Sequence, residues 1–344
     1  MSSVDHVAAD PELVDTIRRV LSSRAPSRHD PTTGKTFDRA LWDQLEALGL
    51  ARLTGAEATG GSGAGWREAA VVLAEAAGHD VALPLAEHDL LAGWLLGRAN
   101  LPADARLRTV AMLDRFGRAR AVPWARHAES VVVVYSSSGT WRVADLSTSA
   151  VTITPGLNIA GEPRDDVAVD VAALANTTTT ELHETELEEL QLRGGLARAI
   201  QLVGALERIV TLTCEHVVSR NQFGRPLARF QAVQHMVADL SAESALARAT
   251  VDAAIRAADD GSRRFGFLTA VARSCGGHAT SVVVRNAHQL HGAIGTTLEH
   301  KLYRYTLPAT AWRSEFGSTS FWDQRVATLS RETGRDGLWS LVAD

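Results

Sequence analysis

The spacing of hydrophobic residues changes twice along this 344-residue chain, and the order of the changes narrows the possible folds sharply. From about residue 183 the spacing is helical and sustained. Leu196, Ile200, Val203, Leu206, Val210, Cys214 and Val217 fall on one stripe at steps of three and four. Phe230, Val233, Val237, Leu240, Ala247 and Val251 make a second stripe. Leu268, Ala272, Cys275, Ala279, Val282 and Leu290 make a third. A shorter helix is expected near 299–315 and another over 319–333. Long helices joined by short loops imply a bundle.

Residues 1–115 also read as helical. Leu13, Ile17, Val20 and Leu21 form one face, and Leu41, Leu45 and Leu48 form another that stops at Gly49. WREAAVVLAEAAG is a third helix, ending at Gly78. Between the helical parts, Val131–Tyr135, Trp141–Asp145, Val151–Thr154 and Val167–Val169 are short β-rich runs, and SSSG and STSA mark turns. The expected fold is mainly α with a small β domain: a helical N-terminal domain over 1–115, a reduced antiparallel β domain over 116–180, and a four-helix bundle over 181–344.

Composition excludes several classes. A net charge of −5 leaves no basic footprint for nucleic acid. Cys214 and Cys275 cannot make a disulfide framework. The acidic N-terminus has no export-signal core, and no apolar run approaches the roughly eighteen residues that a membrane helix needs. The expectation is a cytoplasmic protein.

The most informative segment is Arg220-Asn221-Gln222-Phe223-Gly224-Arg225-Pro226-Leu227, followed by Phe230-Gln231, at the turn between the first two bundle helices. An Arg at a helix end beside an aromatic ring and amide side chains suits a phosphate and an adjacent ring. The same residues also suit a plain helix end, with a dipole-matched Arg and a tight loop. RNQFGRPLARFQAVQHMVADL resembles the R-x-x-F-G-x-x-L signature of the acyl-CoA dehydrogenase family. Gln289-Leu290-His291-Gly292-Ala293-Ile294-Gly295, then Glu299-His300, is similar to that family's Q-x-x-G-G-x-G-x-x-x-E-H segment, with Ala293 in place of the second Gly.

The resemblance covers essentially the whole chain and implies an FAD-dependent enzyme that dehydrogenates an acyl-CoA thioester. It implies that Arg220, Gln222, Phe223, Gln231, Gln289 and Gly292 contact FAD held mainly by a neighbouring subunit. It also implies oligomerisation, either with itself or with a related acyl-CoA dehydrogenase subunit in a heterotetramer of the steroid-catabolic type.

Two family features are missing. The carboxylate that removes the substrate's α-proton stands just before a Gly near the end of the fourth bundle helix; that place falls on Phe316-Gly317, with Glu315 one residue off. The family's alternative position falls at or near Gly194. MLDRFGRARAVPWARHAES stands where a flavin-gripping loop is expected. The expected role is thus a base-lacking partner subunit, with Glu315 the only candidate base. The alternatives are a homodimer with an unorthodox base, a divergent flavin monooxygenase, and a scaffold that binds no FAD.

Other signals weigh less. GGSGAG at 60–65 follows no buried strand and reads as a turn rather than a phosphate loop. Cys275, His278, His288 and His291 lack the convergence a metal site needs, so no metal is expected. His291, beside the flavin segment, is a candidate ligand contact.

Overall fold

The structure, a computed structural model, describes residues 9–22, 32–174 and 177–343. The first eight residues, which carry part of the export-signal reading, lie outside the described residues. The chain forms two compact units interleaved in sequence: one of residues 1–28, 66–81 and 195–344, the other of 29–65 and 82–194.

The second unit holds the β structure. Helix α2 (Arg39–Ala47) starts at Asp38, whose side chain accepts the Leu41 amide, and buries Leu41, Trp42 and Leu45. Leu48, expected on that face, is instead the exposed C-cap. A π-helical stretch, Ala86–Gly93, runs into the short helix α4 (Trp94–Arg98). Strands β1 (Arg108–Met112), β3 (Ser130–Ser137), β4 (Thr140–Ser147) and β7 (Thr180–Leu182) form one sheet in the order β1-β3-β4-β7. Strands β2 (Arg118–Pro123), β6 (Arg164–Ala168) and β5 (Thr152–Thr154) form another in the order β2-β6-β5. Helix α5 (Val171–Leu174) follows β6.

The small antiparallel β domain expected is present, with one parallel pair, β1 beside β3, Val110 opposite Val132. The other strand pairs are antiparallel. Val131–Val134 are fully buried, the continuous apolar run of a strand covered on both faces. Ser138 and Gly139, both at positive φ, make the two-residue β3–β4 turn that SSSG predicts.

The first unit is helical: α1 (Pro11–Ser22), α3 (Trp66–Gly78), the body of α6 (Glu184–Ser219), α7 (Gln231–Asp259), α8 (Phe265–His291), α9 (Tyr303–Trp312) and α10 (Thr319–Ala343). Helix α6 has 36 residues, about 54 Å at 1.5 Å per residue. Its stripe Leu196, Ile200, Val203 and Leu206 is fully buried, and so are Ala199, Leu202 and Ile209 on adjoining faces. Toward its end Val210 and Cys214 are only half-buried. Gly204 lets α6 meet α3 closely, since a Cβ there would lie 2.3 Å from the Ala74 carbonyl oxygen. Helix α7 buries Leu240, Ala247 and Val251, whereas Val233 and Val237 in its first half stay partly exposed. No helix among the described residues is long and apolar enough to cross a membrane.

Candidate functional site

Helix α6 ends at Ser219, and the Arg220 amide donates to the His216 carbonyl at 2.9 Å. The chain then turns through a minimal hairpin, β8 (Asn221–Gln222) against β9 (Arg225–Pro226). Phe223 and Gly224 sit at its tip with φ of 51° and 77°, the backbone of a tight primed turn. The turn holds Phe223 out at 91% exposure. Behind it, Phe230 stacks edge-on to Phe223 at 6.1 Å, and the Arg225 guanidinium lies 4.1 Å from the Phe230 ring centre. Arg220, Gln222 and Gln231 are likewise exposed.

Helix α8 ends at the same place. His216 on α6 stacks on His291 on α8 at 4.3 Å between ring centres. Arg220, one turn beyond His216, and Gln289 and Gly292, which flank His291, therefore share one end of the helical unit. Gly292 leaves α8 with φ 63°, and a Cβ there would meet nothing within 4 Å, so its backbone is open to a close-approaching group. All six residues expected at FAD are exposed, and so are the apolar residues Val218, Ile294 and Leu298 close to them in sequence.

His291 and His216 are joined by His300, whose ring centre is 4.6 Å from that of His291. One ring nitrogen from each histidine lies within 4.8 Å of the others. Burial lowers the pKa of His291 to about 4, and lowers those of His216 and His300. Sequence spacing hides this group, because 75 residues separate His216 from His291.

The place expected for the base looks different. Glu315 follows the end of α9, its amide donating to the Trp312 carbonyl. Its carboxylate accepts the Arg198 Nε at 2.6 Å, and Arg198, 2% exposed, also donates to the Gln201 side chain at 2.7 Å. Arg273, 1% exposed, donates to the carbonyls of Trp312, Arg313, Glu315 and Gly317. It serves as a cationic cap on the carbonyl end of α9. Burial lowers the pKa of Arg273 to about 9. Phe316 takes a left-handed φ of 54°, uncommon for a bulky residue, with the Arg198 guanidinium 5.6 Å from its ring centre.

In the second unit, the π-helical stretch buries the consecutive charged residues Glu87, His88 and Asp89. Thr54 donates both its amide and its hydroxyl to Asp89, and burial raises the Asp89 carboxyl to about 6. The His88 Nδ1 accepts the Arg108 amide, its Nε2 has no partner, and burial drops its pKa to about 3.

Long helices in one unit and a small β-rich unit in the other are the fold elements of a flavoprotein dehydrogenase. Residues 9–99 match the model "Acyl-CoA dehydrogenase, N-terminal domain", and residues 169–322 match "Acyl-CoA dehydrogenase, C-terminal domain". Acyl-CoA dehydrogenase IpdE2 of Mycobacterium tuberculosis is 32% identical over 279 residues, 78% of this chain and 80% of that relative. Among solved structures, a chain of the ChsE4-ChsE5 complex from Mycobacterium tuberculosis superposes with a TM-score of 0.86 at 21% identity, covering 96% of this chain and all of that one. A chain of a variant of the Tcur3481-Tcur3483 steroid ACAD has a TM-score of 0.82 at 23% identity, covering 93% and 97% of the two chains. The protein belongs to the acyl-CoA dehydrogenase family.

Proposed function

We propose that this chain is the base-lacking subunit of a heteromeric acyl-CoA dehydrogenase, acting beside a related subunit that supplies the base. FAD, when bound, accepts the hydride from the β-carbon of the acyl thioester. The exposed hairpin fits FAD held on the neighbour. Arg220 is placed to pair with the pyrophosphate, the Phe223 ring to cover the adenine end, and Gln222, Gln231 and Gln289 to hydrogen-bond to it. Gly292 leaves room for its close approach.

The observation that carries the reading is the state of Glu315 and Phe316. Phe316 stands at the aligned position of the base and has no proton-accepting group. Glu315, its neighbour, is bound to the buried Arg198. A heteromeric assembly draws support from the fold shared with the ChsE4-ChsE5 complex, and a bulky, steroid-derived acyl-CoA from the fold shared with a steroid ACAD.

The test is acyl-CoA-dependent reduction of an electron acceptor by this chain alone and co-expressed with an acyl-CoA dehydrogenase subunit encoded beside it. Flavin colour and turnover are expected only on co-expression. Glu315→Gln, which keeps an acceptor for Arg198 but gives up the ion pair, should lower stability yet leave turnover of the folded complex nearly unchanged, whereas losing a general base removes roughly 10²–10⁴-fold. Yellow, active protein in isolation, inactivated by Glu315→Gln with FAD still bound, would establish the homodimer instead. No flavin under either condition would leave a scaffold.

A further inference from the structure

We infer that His216, His291 and His300 form a binding site for one divalent transition-metal ion of the zinc, cobalt or nickel type, where α6 and α8 end. Nothing in it rests on the proposed dehydrogenase role.

His291 is the anchor. It is 5% exposed, and its Nδ1–H donates to the Ala287 carbonyl at 2.8 Å. That bond fixes the tautomer and leaves the lone pair on Nε2, which is buried without a hydrogen-bond partner. A metal-ligating imidazole is normally held in this way, one ring nitrogen tied to a carbonyl and the other free. A buried, unpaired acceptor costs stability unless something fills its place.

The other two rings close on it. His216 is tilted only 22° from His291 at 4.3 Å, and His300 stands at 61° and 4.6 Å. Three imidazoles with an open fourth position are a donor set that zinc and its neighbours accept. Ligand nitrogens about 2.0–2.1 Å from such an ion lie roughly 3.4 Å apart. The present limit of 4.8 Å calls for closure of an ångström or so, and His216, now face to face with His291, must also rotate out of the stack to aim its in-plane lone pair at a shared ion; His216 and His300 are only half-buried.

Two features set the strength. The His300 Nδ1 accepts the Leu302 amide, so His300 must give up that bond to ligate, whether through Nδ1 itself or through Nε2 once its proton has moved to Nδ1. Arg220 and Lys301 are the charges that act on His216 and His300, and both oppose a cation. Affinity well below that of a structural zinc site is expected.

The experiment uses the full-length chain with no affinity tag, stripped with chelator and dialysed. It is titrated with zinc chloride by calorimetry and with cobalt chloride by visible absorption. One ion per chain is expected, with a cobalt band of nitrogen ligation. His291→Asn should weaken binding by at least the roughly 10–100-fold that loss of an outer-shell partner costs. His216→Phe, which keeps a flat ring against His291, should also weaken it. His278→Asn, which alters a surface histidine paired with Asp323, should change nothing. The proposal is overturned if wild type shows no saturable binding. It is equally overturned if either folded variant, checked by circular dichroism, binds as wild type does, or if His278→Asn removes the binding.

Discussion

Replacing Asp89 by Asn should stabilise the protein near neutral pH, and the gain should disappear in acid. Asp89 is 7% exposed, and burial lifts its carboxyl from 3.8 to about 6 despite the two Thr54 hydrogen bonds. The folded-state pKa lies above the unfolded one, so the folded chain keeps a proton that the unfolded chain releases between about pH 4 and 6. Stability therefore falls as pH rises through that window, and above it the full cost of a buried anion is present. A rise from 3.8 to about 6, at 1.36 kcal/mol per pH unit, corresponds to about 3 kcal/mol. Asn is uncharged at every pH, and its Oδ1 can still accept from Thr54. Its new amide donor has no assigned acceptor, which takes back about 1 kcal/mol. The expected net is a gain of about 2 kcal/mol at pH 7 and a small loss at pH 4. Urea denaturation of both proteins at the two pH values reads this difference directly, because every other titrating group is common to both. A gain independent of pH, or Asn less stable at pH 7 than at pH 4 relative to wild type, would show that the carboxylate is held ionised and favourably, and would refute the reasoning.

Two further outcomes follow from named contacts. Arg220→Ala should weaken FAD retention in the assembled enzyme by roughly tenfold or more, since a charge-assisted bond to pyrophosphate is worth about 1.5–3 kcal/mol; equilibrium dialysis of flavin from the complex measures it. Gly204→Ala should lower stability by about 1–3 kcal/mol, because the new Cβ meets the Ala74 backbone. Gly97→Ala in α4, with nothing within 4 Å, is the control and should stabilise slightly in the same thermal melt.

The helices were legible because each buries a stripe of apolar residues at a spacing only a helix satisfies. The β3–β4 hairpin was legible because Val131–Val134 and the SSSG turn carry the strongest local signals. Strand β1 was not: RTVAM starts with two polar residues that are nonetheless buried. Arg108 is held there by Asp145 and Asp104, partners 37 and 4 residues away, and no local pattern announces such a pairing. The residues expected at FAD were picked out as a motif, and the exposure of Phe223 among them follows from the hairpin turn it makes with Gly224. The histidine group and the buried Glu87-His88-Asp89 triplet depend on contacts between distant segments or on burial of charge, and sequence periodicity reports neither.

The same distinction supports the proposed base-lacking role, because Glu315, one residue from the expected place, is held by a buried guanidinium. Arg198 and Arg273 are both buried, and their charges must be balanced locally. Arg273 spends its donors on the carbonyl end of α9, which leaves the Glu315 carboxylate as the anion facing Arg198. If Glu315 took a proton from a substrate, Arg198 would lose that partner, and stranding a buried charge costs about 3–5 kcal/mol. General-base assistance is worth roughly 10²–10⁴-fold, or about 2.7–5.5 kcal/mol. The cost is as large as the benefit, so a carboxylate bound in this way offers little net catalysis. The family's working base has to lie where no guanidinium claims it. In the proposed reading that place falls on Phe316, whose ring lies beside Arg198. A neighbouring subunit with a free carboxylate at the equivalent position resolves the difficulty without any change to this one.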